Sequence, residues 1–354
     1  MPLEVVEVKA RYGCHRASFV AEDGKIFTIM GPNGAGKTTL LNLIAGFIKP
    51  TNGIVKLNGR QIEHLPPYKR NIAYLPQDYS LLPHYNVLEN LLFPLRCRKV
   101  TPEDQKKKAR EWIERLKLET LLDKYPHELS GGERKRVALA QALVYDPEVL
   151  LLDEPSSNLD LEHQKRLRLE IKRIKTELSI PILYVTHNLT EAEEVSDTVG
   201  FMFDGVLIAT GSLDDLLLNA SNEKIKAFFG HPNILEVESA RRLDGPLYEV
   251  VCKGMGKLIV SCSEPPTQII AYPWDIYLSL IPPPGPNMNR FKGKVLSVEA
   301  GPSGEIFVSV EVGKQSILAV TTNKTFLQIK PFSDVFIIFK FQRLRAIPSS
   351  SNHC

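Results

Sequence analysis

The segment at residues 31–39, GPNGAGKTT, places three glycines, a lysine and two threonines between two apolar runs. Consecutive backbone amides can turn inward around an anion only where no Cβ atom crowds them, and glycine meets that requirement. The spacing fits G-x-x-x-x-G-K-[ST] from Gly31 to Thr38, and a helix starting there adds free amides and the positive end of its dipole. We therefore predict a loop that binds nucleotide phosphates, with Lys37 on the β- and γ-phosphates and the Thr38 hydroxyl on Mg²⁺.

Two adjacent acids, Asp153 and Glu154, follow the apolar run VLLL at residues 149–152. A buried strand would deliver Asp153 to a magnesium ion beside the phosphate loop, and Glu154 could polarise the attacking water. Two solvated loop acids are the alternative, but four preceding apolar residues argue against it. The pair predicts hydrolysis at the phosphate site.

A second anion-binding pattern, LSGGE, lies between these segments at residues 129–133. Ser130, Gly131 and Gly132 supply a hydroxyl and two amides without side chains at the start of a predicted helix. The same residues are also typical of an ordinary N-cap. Because the chain already has one phosphate loop, a second phosphate site requires an explanation.

In chain order, these three segments resemble the Walker A, signature and Walker B motifs of ABC transporter ATPases, and the similarity covers about residues 1–230. Four further positions resemble motifs of that family: the adenine-stacking aromatic (Tyr12), the Q-loop glutamine (Gln77), the D-loop (157–160) and the switch histidine (His187). Asn158 in the D-loop stands where alanine is usual.

The resemblance implies a head-to-tail homodimer, with each ATP between the phosphate loop of one subunit and the LSGGE segment of the other. Residues expected to contact the ATP of the partner subunit are Ser130, Gly131, Gly132 and Asp160. Within one subunit, Glu154 is expected to act as general base and His187 to hold the γ-phosphate and water. The expected ATP contacts are Tyr12, Asn33, Gly34, Ala35, Gly36, Lys37, Thr38 and Thr39, and the expected Mg²⁺ contacts are Thr38, Gln77 and Asp153.

Short apolar strands alternate with amphipathic helices over residues 1–232, and these elements must position the motifs. Apolar strands that lead into helices favour a largely parallel α/β sheet. Strands are predicted at 24–30, 53–58, 71–76, 148–153, 181–187 and 198–205, and helices at 38–47, 102–117, 132–145, 161–178 and 189–195. The expected fold is an α/β P-loop NTPase, to which the resemblance adds a mixed sheet and a helical subdomain.

The pattern changes after residue 232, where short apolar runs are separated by Gly, Pro, Ser and Asn. This favours a small all-β barrel over residues 233–354, divided by a stiff connector, IPPPGPN, at 281–287. Strands that extend the first sheet are the alternative. The region resembles the TOBE or Mop accessory domain of importer ATPases, and YPWDIYLSL at 272–280 resembles its R-P-E-[DN]-I pattern with Tyr272 in place of Arg.

Barrels of this type that bind oxyanions carry a Ser-x-Arg-Asn-like segment, which corresponds here to residues 286–289. Asn289 is kept and Met288 stands at the arginine position, while Thr321 matches a later pattern whose serine is replaced by Lys324. The resemblance therefore favours packing and dimer stabilisation over regulatory binding of molybdate or tungstate. Oxyanion binding by Lys324 and backbone amides is the alternative.

The composition and charge of the chain limit the classes of protein to which it can belong. The 354 residues carry a formal net charge of +3 with acidic and basic residues interspersed, so nucleic-acid binding is not predicted. No apolar segment reaches the roughly 18 residues needed to span a bilayer, and the start MPLEVVEVKA is not a secretory signal. The five scattered cysteines are predicted to be reduced thiols. We expect a location in the cytoplasm or, through a partner, on the cytoplasmic face of the cell membrane.

Exporters, importers and soluble ATPases share these motifs. A single ATPase domain without membrane helices favours an importer subunit that works with separate permease subunits and, indirectly, a substrate-binding protein. Residues 80–93 are expected to form the permease docking surface, with Tyr79, Leu82, Pro83 and Tyr85 exposed. Ordinary helix core is the other interpretation of Leu88, Leu91 and Leu92.

The cargo expected first is molybdate or tungstate. Iron, sulfate, sugar or polyamine import are alternatives, because the ATPase does not touch the cargo. A non-transport ATPase that acts on nucleic acid or a protein complex is the alternative of a different class.

Overall fold

The computed structural model describes residues 2–78, 81–157, 159–218, 222–284, 288–301 and 305–348. The chain divides into two compact units, Met1–Leu216 and Leu217–Cys354. The division falls ahead of the boundary predicted at residue 232, because the residues that lead into the first C-terminal strand group with the second unit.

The first unit contains two sheets surrounded by helices. Its strands are β1 (Leu3–Lys9), β2 (Ala17–Ala21), β3 (Ile26–Met30), β4 (Asn52–Leu57), β5 (Arg60–Gln61), β6 (Ile72–Leu75), β7 (Val149–Asp153), β8 (Ile182–Val185), β9 (Thr198–Phe203) and β10 (Val206–Gly211). The helices of the chain are α1 (Lys37–Ala45), α2 (Val87–Cys97), α3 (Pro102–Leu116), α4 (Gly131–Leu143), α5 (Leu161–Leu178), α6 (Leu189–Val195), α7 (Leu213–Leu218) and α8 (Glu223–Phe228).

Six strands form one sheet in the order β10-β9-β3-β8-β7-β6. All neighbours in it are parallel except β9 and β10. β3 and β7 are buried along their whole length, as expected for strands covered on both faces. This confirms the predicted α/β fold. The carboxyl ends of β3, β6, β7 and β8 lead directly into the predicted site segments, which therefore meet at one edge.

The second sheet, β2-β1-β4-β5, is antiparallel and was not predicted. The strand predicted at 53–58 belongs to it rather than to the parallel core, because β4 pairs with β1. Buried Val55 and Leu57 alternate with the partly exposed Ile54 and Lys56, a pattern typical of a half-exposed strand.

The five predicted helices are present, with ends that differ by no more than two residues. Side-chain caps fix several starts. Asp160 caps α5 by accepting from the His163 amide at 2.9 Å. α2 was expected only through the helix-core interpretation of Leu88, Leu91 and Leu92, and it begins at a capping box in which Asn86 Oδ1 accepts from the Glu89 amide at 2.8 Å.

The second unit consists of two antiparallel five-stranded sheets. Its strands are β11 (Asn233–Arg242), β12 (Leu247–Cys252), β13 (Gly256–Ser261), β14 (Pro266–Ala271), β15 (Ile276–Ser279), β16 (Arg290–Ala300), β17 (Ile306–Val312), β18 (Gln315–Thr321), β19 (Asp334–Phe339) and β20 (Arg345–Pro348). The sheet orders are β13-β12-β11-β14-β20 and β15-β19-β16-β17-β18. Within the described residues none of these strands joins the first unit's sheets, so the extension of the first sheet is wrong.

The segment 281–287 does not separate two independent β parts. β15 precedes it but pairs with β19, and β20 follows it but pairs with β14. The two sheets therefore exchange strands and share one apolar core, with members such as Leu258, Ile269, Val308 and Ile337. Residues 285–287 of this segment lie outside the described residues.

Candidate nucleotide-binding site

The phosphate loop joins β3 to α1 and has a shape that only glycine permits. Gly34 and Gly36 have φ angles of 79° and 96°, in the left-handed region. A Cβ atom on Gly36 would lie 1.6 Å from the carbonyl oxygen of Gly13. The segment that carries Tyr12 and Gly13 therefore packs directly against the loop.

Lys37 is buried at the start of α1, and its ammonium group faces the loop. The Nζ atom donates hydrogen bonds to the carbonyl oxygens of Gly31 (2.8 Å) and Pro32 (2.9 Å). Burial lowers the pKa of Lys37, while the charges of Glu154 and Asp153 act against that shift. Charge-assisted bonds to phosphate oxygens are stronger than bonds to neutral carbonyls, so the lysine is placed to exchange these partners for phosphate.

A cavity of about 670 Å³ lies beside the loop and gathers residues from separate motifs. Its lining consists of Gly13, Asn33, Gly34, Ala35, Gly36, Lys37, Thr38, Thr39, Gln77, Glu154, Ser157 and His187. The volume falls in the usual range for a small-molecule site, roughly 300–1,000 Å³. Gly13 and Ser157 were not predicted to contact the nucleotide, although each adjoins a residue or motif that was.

Glu154 is held by the two other polar residues expected at the reaction centre. His187 Nδ1 donates to its Oε1 at 2.9 Å, and Gln77 Nε2 donates to its Oε2 at 3.3 Å. The backbone of Glu154 has φ of 45°, and its amide donates to the Val185 carbonyl at 3.0 Å. A left-handed glutamate costs free energy, so the adjacent strand β8 must hold the backbone in place. The carboxylate is thereby directed into the cavity.

Asp153 ends β7 and fits a magnesium ligand. Its Oδ1 is buried without a hydrogen-bond partner among the described residues, whereas Oδ2 accepts from Tyr74 Oη at 3.4 Å. Burial raises the pKa of this carboxyl, and the hydrogen bond from Thr38 opposes the shift. An unpartnered carboxylate oxygen beside a threonine hydroxyl suits Mg²⁺, which takes one or two carboxylates and completes its shell with phosphate and water. Tyr74 was missed by the sequence analysis, because only strand pairing brings it to Asp153.

The LSGGE segment forms the start of α4 and does not line this cavity. Ser130 Oγ accepts from the Glu133 amide at 3.2 Å, and Glu133 Oε2 accepts from the Ser130 amide at 2.8 Å. The ordinary N-cap is thus present, and Ser130 and Gly131 are also exposed. The backbone hydrogen bond from Ser130 lowers the pKa of Glu133, as does a hydrogen bond from the Ser130 hydroxyl to the Glu133 side chain.

Gly132 has a neighbour within its own chain that explains the missing side chain. A Cβ atom there would lie 2.2 Å from Cδ2 of His163. The His163 ring is held by Asp160, whose Oδ2 accepts from Nδ1 at 2.7 Å. The backbone and side-chain hydrogen bonds from His163 lower the pKa of Asp160. Gly132 and Asp160 are therefore linked through His163, outside the cavity of their own subunit.

For three residues named in the sequence analysis, Tyr12, Tyr79 and Asn158, the structure describes no contact with the cavity. The Tyr12 side chain is 71% exposed, with the Arg11 guanidinium 5.3 Å from its ring centroid. The ring does not line the cavity, so its contact with adenine stays a prediction. Asn158 and Tyr79 lie outside the described residues.

A second cavity, of about 810 Å³, lies at the end of β6 beside α2 and α4 and is lined mainly by apolar and aromatic residues. Among its lining residues are Leu75, Leu82, Phe93, Cys97 and Tyr145. In the predicted docking segment, Pro83 is exposed while Leu82 and Tyr85 are partly buried. The helix-core interpretation also holds in part, as Leu91 is buried and Leu88 and Leu92 pack against the core.

Asn289, the residue matched to oxyanion-binding barrels, has a structural role. Its side-chain amide donates to the Ile259 carbonyl at 2.8 Å, and its Oδ1 accepts from the Ile259 amide at 2.6 Å. Lys324 is exposed, and Thr321 accepts from the Asn323 amide at 3.2 Å. Both hydrogen-bonding groups of Asn289 are thus engaged by the backbone of β13.

Comparison with known proteins gives a consistent assignment. The family described as ABC transporter matches residues 14–157. The molybdate/tungstate import ATP-binding protein of Pyrococcus abyssi is 37% identical over 331 residues, which are 93% of this chain and 94% of that protein. The spermidine/putrescine import ATP-binding protein of Acetivibrio thermocellus is 37% identical over 277 residues, 77% of this chain and 76% of that protein.

Among solved structures, a dimeric ATP-binding cassette in a post-hydrolysis state bound to ADP and Pi is similar to this chain, with a TM-score of 0.54 and 27% identity. The match covers 60% of this chain and 98% of that one. In the part of the chain that the structure describes, no helix is both long enough and apolar enough to cross a membrane.

Proposed function

Since the chain belongs to the ABC transporter family of ATP-binding proteins, we propose that it powers the import of an oxyanion, molybdate or tungstate first. It is an ABC-type ATPase that binds and hydrolyses ATP. The observation that supports ATP hydrolysis best is that Lys37, Glu154 and His187 all line one cavity. The cargo is supported by the Pyrococcus relative, whose similarity extends through the second unit.

Hydrolysis follows from the contacts of the cavity. The loop amides and Lys37 hold the phosphates, and Glu154 takes a proton from the attacking water. His187 contacts Glu154 through Nδ1 and lines the same cavity, so its ring would lie beside the γ-phosphate. Thr38, Gln77 and Asp153 would hold Mg²⁺, which neutralises charge that develops on the phosphates.

The ATP site is completed by a second copy of the chain. Ser130, Gly131, Gly132 and Asp160 lie outside the cavity of their own subunit, and Ser130 and Gly131 are exposed at the start of α4. In a head-to-tail homodimer these residues contact the ATP of the partner subunit. ATP binding and dimer closure are then thermodynamically linked, so each stabilises the other.

Permease subunits dock at the apolar cavity beside α2, and through them the chain lies on the cytoplasmic face of the membrane. A substrate-binding protein supplies the cargo from the other side. Phe93 and Cys97 line this cavity, which begins next to the Q-loop segment that carries Gln77. Docking there connects permease movement to Gln77 and, through its hydrogen bond, to Glu154. The two units, with a boundary proposed near residue 232, separate the ATPase from a barrel that stabilises the dimer.

The test is ATP turnover by the chain reconstituted with its permease and binding protein in vesicles. Molybdate and tungstate are expected to stimulate turnover, whereas sulfate and spermidine are not. Stimulation by spermidine alone would assign a polyamine importer instead. Glu154→Gln serves as the inactive control, so that stimulation reflects this site.

A further inference from the structure

Glu191 is a buried acid that does not reach the nucleotide cavity. It lies on α6, is only 5% exposed, and accepts hydrogen bonds from three hydroxyl groups. Ser156 Oγ lies 2.5 Å from its Oε1, while Thr186 Oγ1 (2.8 Å) and Tyr184 Oη (3.1 Å) donate to its Oε2. A carboxylate can be kept in the interior only with such compensation, because an unpaired buried charge is costly.

The hydroxyl groups belong to segments that carry the reaction. Ser156 lies between Glu154 and Ser157, and Ser157 lines the cavity. Thr186 directly precedes His187, and its Oγ1 also accepts from the Asn188 amide at 3.0 Å. The two residues that flank His187 are thereby tied together, and Glu191 joins them to the loop after Glu154.

We propose that Glu191 is a positioning residue that fixes the switch-histidine segment relative to the loop after Glu154. Its side chain does not line the nucleotide cavity, so it does not act on ATP directly. His187 follows β8 and Glu154 follows β7, so these two residues belong to separate segments. Their relative position therefore depends on the buried hydrogen bonds of Glu191 with Thr186 and Ser156. The inference rests on the proposed function of the site.

The experiment compares Glu191→Gln in the full-length chain with Glu193→Gln, on the exposed side of α6, as the matched control. Glu191→Gln is expected to lower kcat about tenfold, while ATP affinity, measured with a fluorescent ATP analogue, stays within about threefold. Thermal unfolding is recorded for each protein.

Ser156→Ala and Thr186→Val keep the charge of Glu191 and each remove one hydroxyl that bonds to it, so they cover the case in which a charge change prevents folding. We expect both to lower kcat without weakening ATP binding. A kcat within twofold of the wild type in these variants, or an equal loss of ATP affinity, would overturn the inference. Unimpaired turnover by Glu154→Gln would instead refute the proposed function of the site.

Discussion

The carboxylate of Glu154, the proposed general base, has an orientation fixed by its contacts. Glu154 has a left-handed backbone and accepts hydrogen bonds from Gln77 and His187, so two other motifs fix its direction. A general base must lie within hydrogen-bond reach of the proton that it removes. Its orientation therefore matters as much as its basicity, and both depend on residues distant in sequence.

Glu154→Gln is expected to lower ATP turnover by about 10²–10⁴-fold, because the amide cannot accept a proton from water. ATP binding should persist, since the phosphate loop and Lys37 are unchanged, and the ATP-bound dimer should accumulate. Turnover and size-exclusion chromatography with ATP measure the two effects. Glu162→Gln, an exposed change at the start of α5, is the matched control. Retention of a tenth or more of wild-type turnover would contradict the assignment of the base.

The packing of α4 against α5 explains why residue 132 is glycine, which the LSGGE motif alone does not explain. The starts of α4 and α5 meet where Gly132 faces the His163 ring, which Asp160 holds. The glycine is thus required within the subunit, in addition to its proposed contact with the partner's phosphate. A substitution can separate these two requirements.

Gly132→Ala is expected to destabilise the chain by about 1–3 kcal/mol, because the new methyl group overlaps the His163 ring. Combining it with His163→Ala should restore the free energy of unfolding, measured with urea. ATP turnover should remain low in the double variant, since the methyl group also blocks the partner's phosphate. An unchanged unfolding midpoint in the single variant would mean that the ring moves aside without cost.

Cysteine alkylation tests the apolar cavity beside α2. Cys97 is exposed and lines that cavity, whereas burial raises the pKa of Cys14 and Cys252 from 9.0 to about 11. At pH 8 these two buried thiols stay protonated, and only thiolate reacts with iodoacetamide. Peptide mass spectrometry should find Cys97 labelled in the isolated chain and protected in the permease complex, with Cys14 and Cys252 unlabelled in both. Equal labelling of Cys97 in both samples would argue against docking there.

Sequence patterns predicted the elements whose signal is contiguous. The apolar run before Asp153 gave a strand, and five helices followed from their periodicity. The antiparallel sheet and the exchange of β15 and β20 depend on pairing between distant strands, which local patterns do not encode. The same limit applies within the site. The residues from Gly31 to Thr38 are contiguous and could be recognised as a motif. The contacts of Tyr74 with Asp153 and of Glu191 with Thr186 could not be predicted from local sequence.

At the scale of the whole molecule, the phosphate loop and the signature segment occupy different places on one subunit. The cavity is lined by the loop and by Gln77, Glu154 and His187, while Ser130 lies elsewhere and is exposed. If Ser130 takes part in hydrolysis, it therefore acts at the ATP site of another subunit. Two defective subunits should therefore complement each other only if the site is shared.

Mixing Lys37→Ala with Ser130→Asp tests this arrangement. Aspartate preserves the N-cap of α4 but repels a partner's phosphate, and alanine removes the cation of the phosphate loop. Each variant alone should lack turnover, because both of its ATP sites contain a defective half. A mixed dimer contains one site with an intact phosphate loop from the Ser130→Asp subunit and an intact Ser130 from the other. Turnover and vanadate trapping of ADP should therefore reappear on mixing. Mixed dimers that stay inactive and trap no nucleotide would indicate that each subunit builds its ATP site alone.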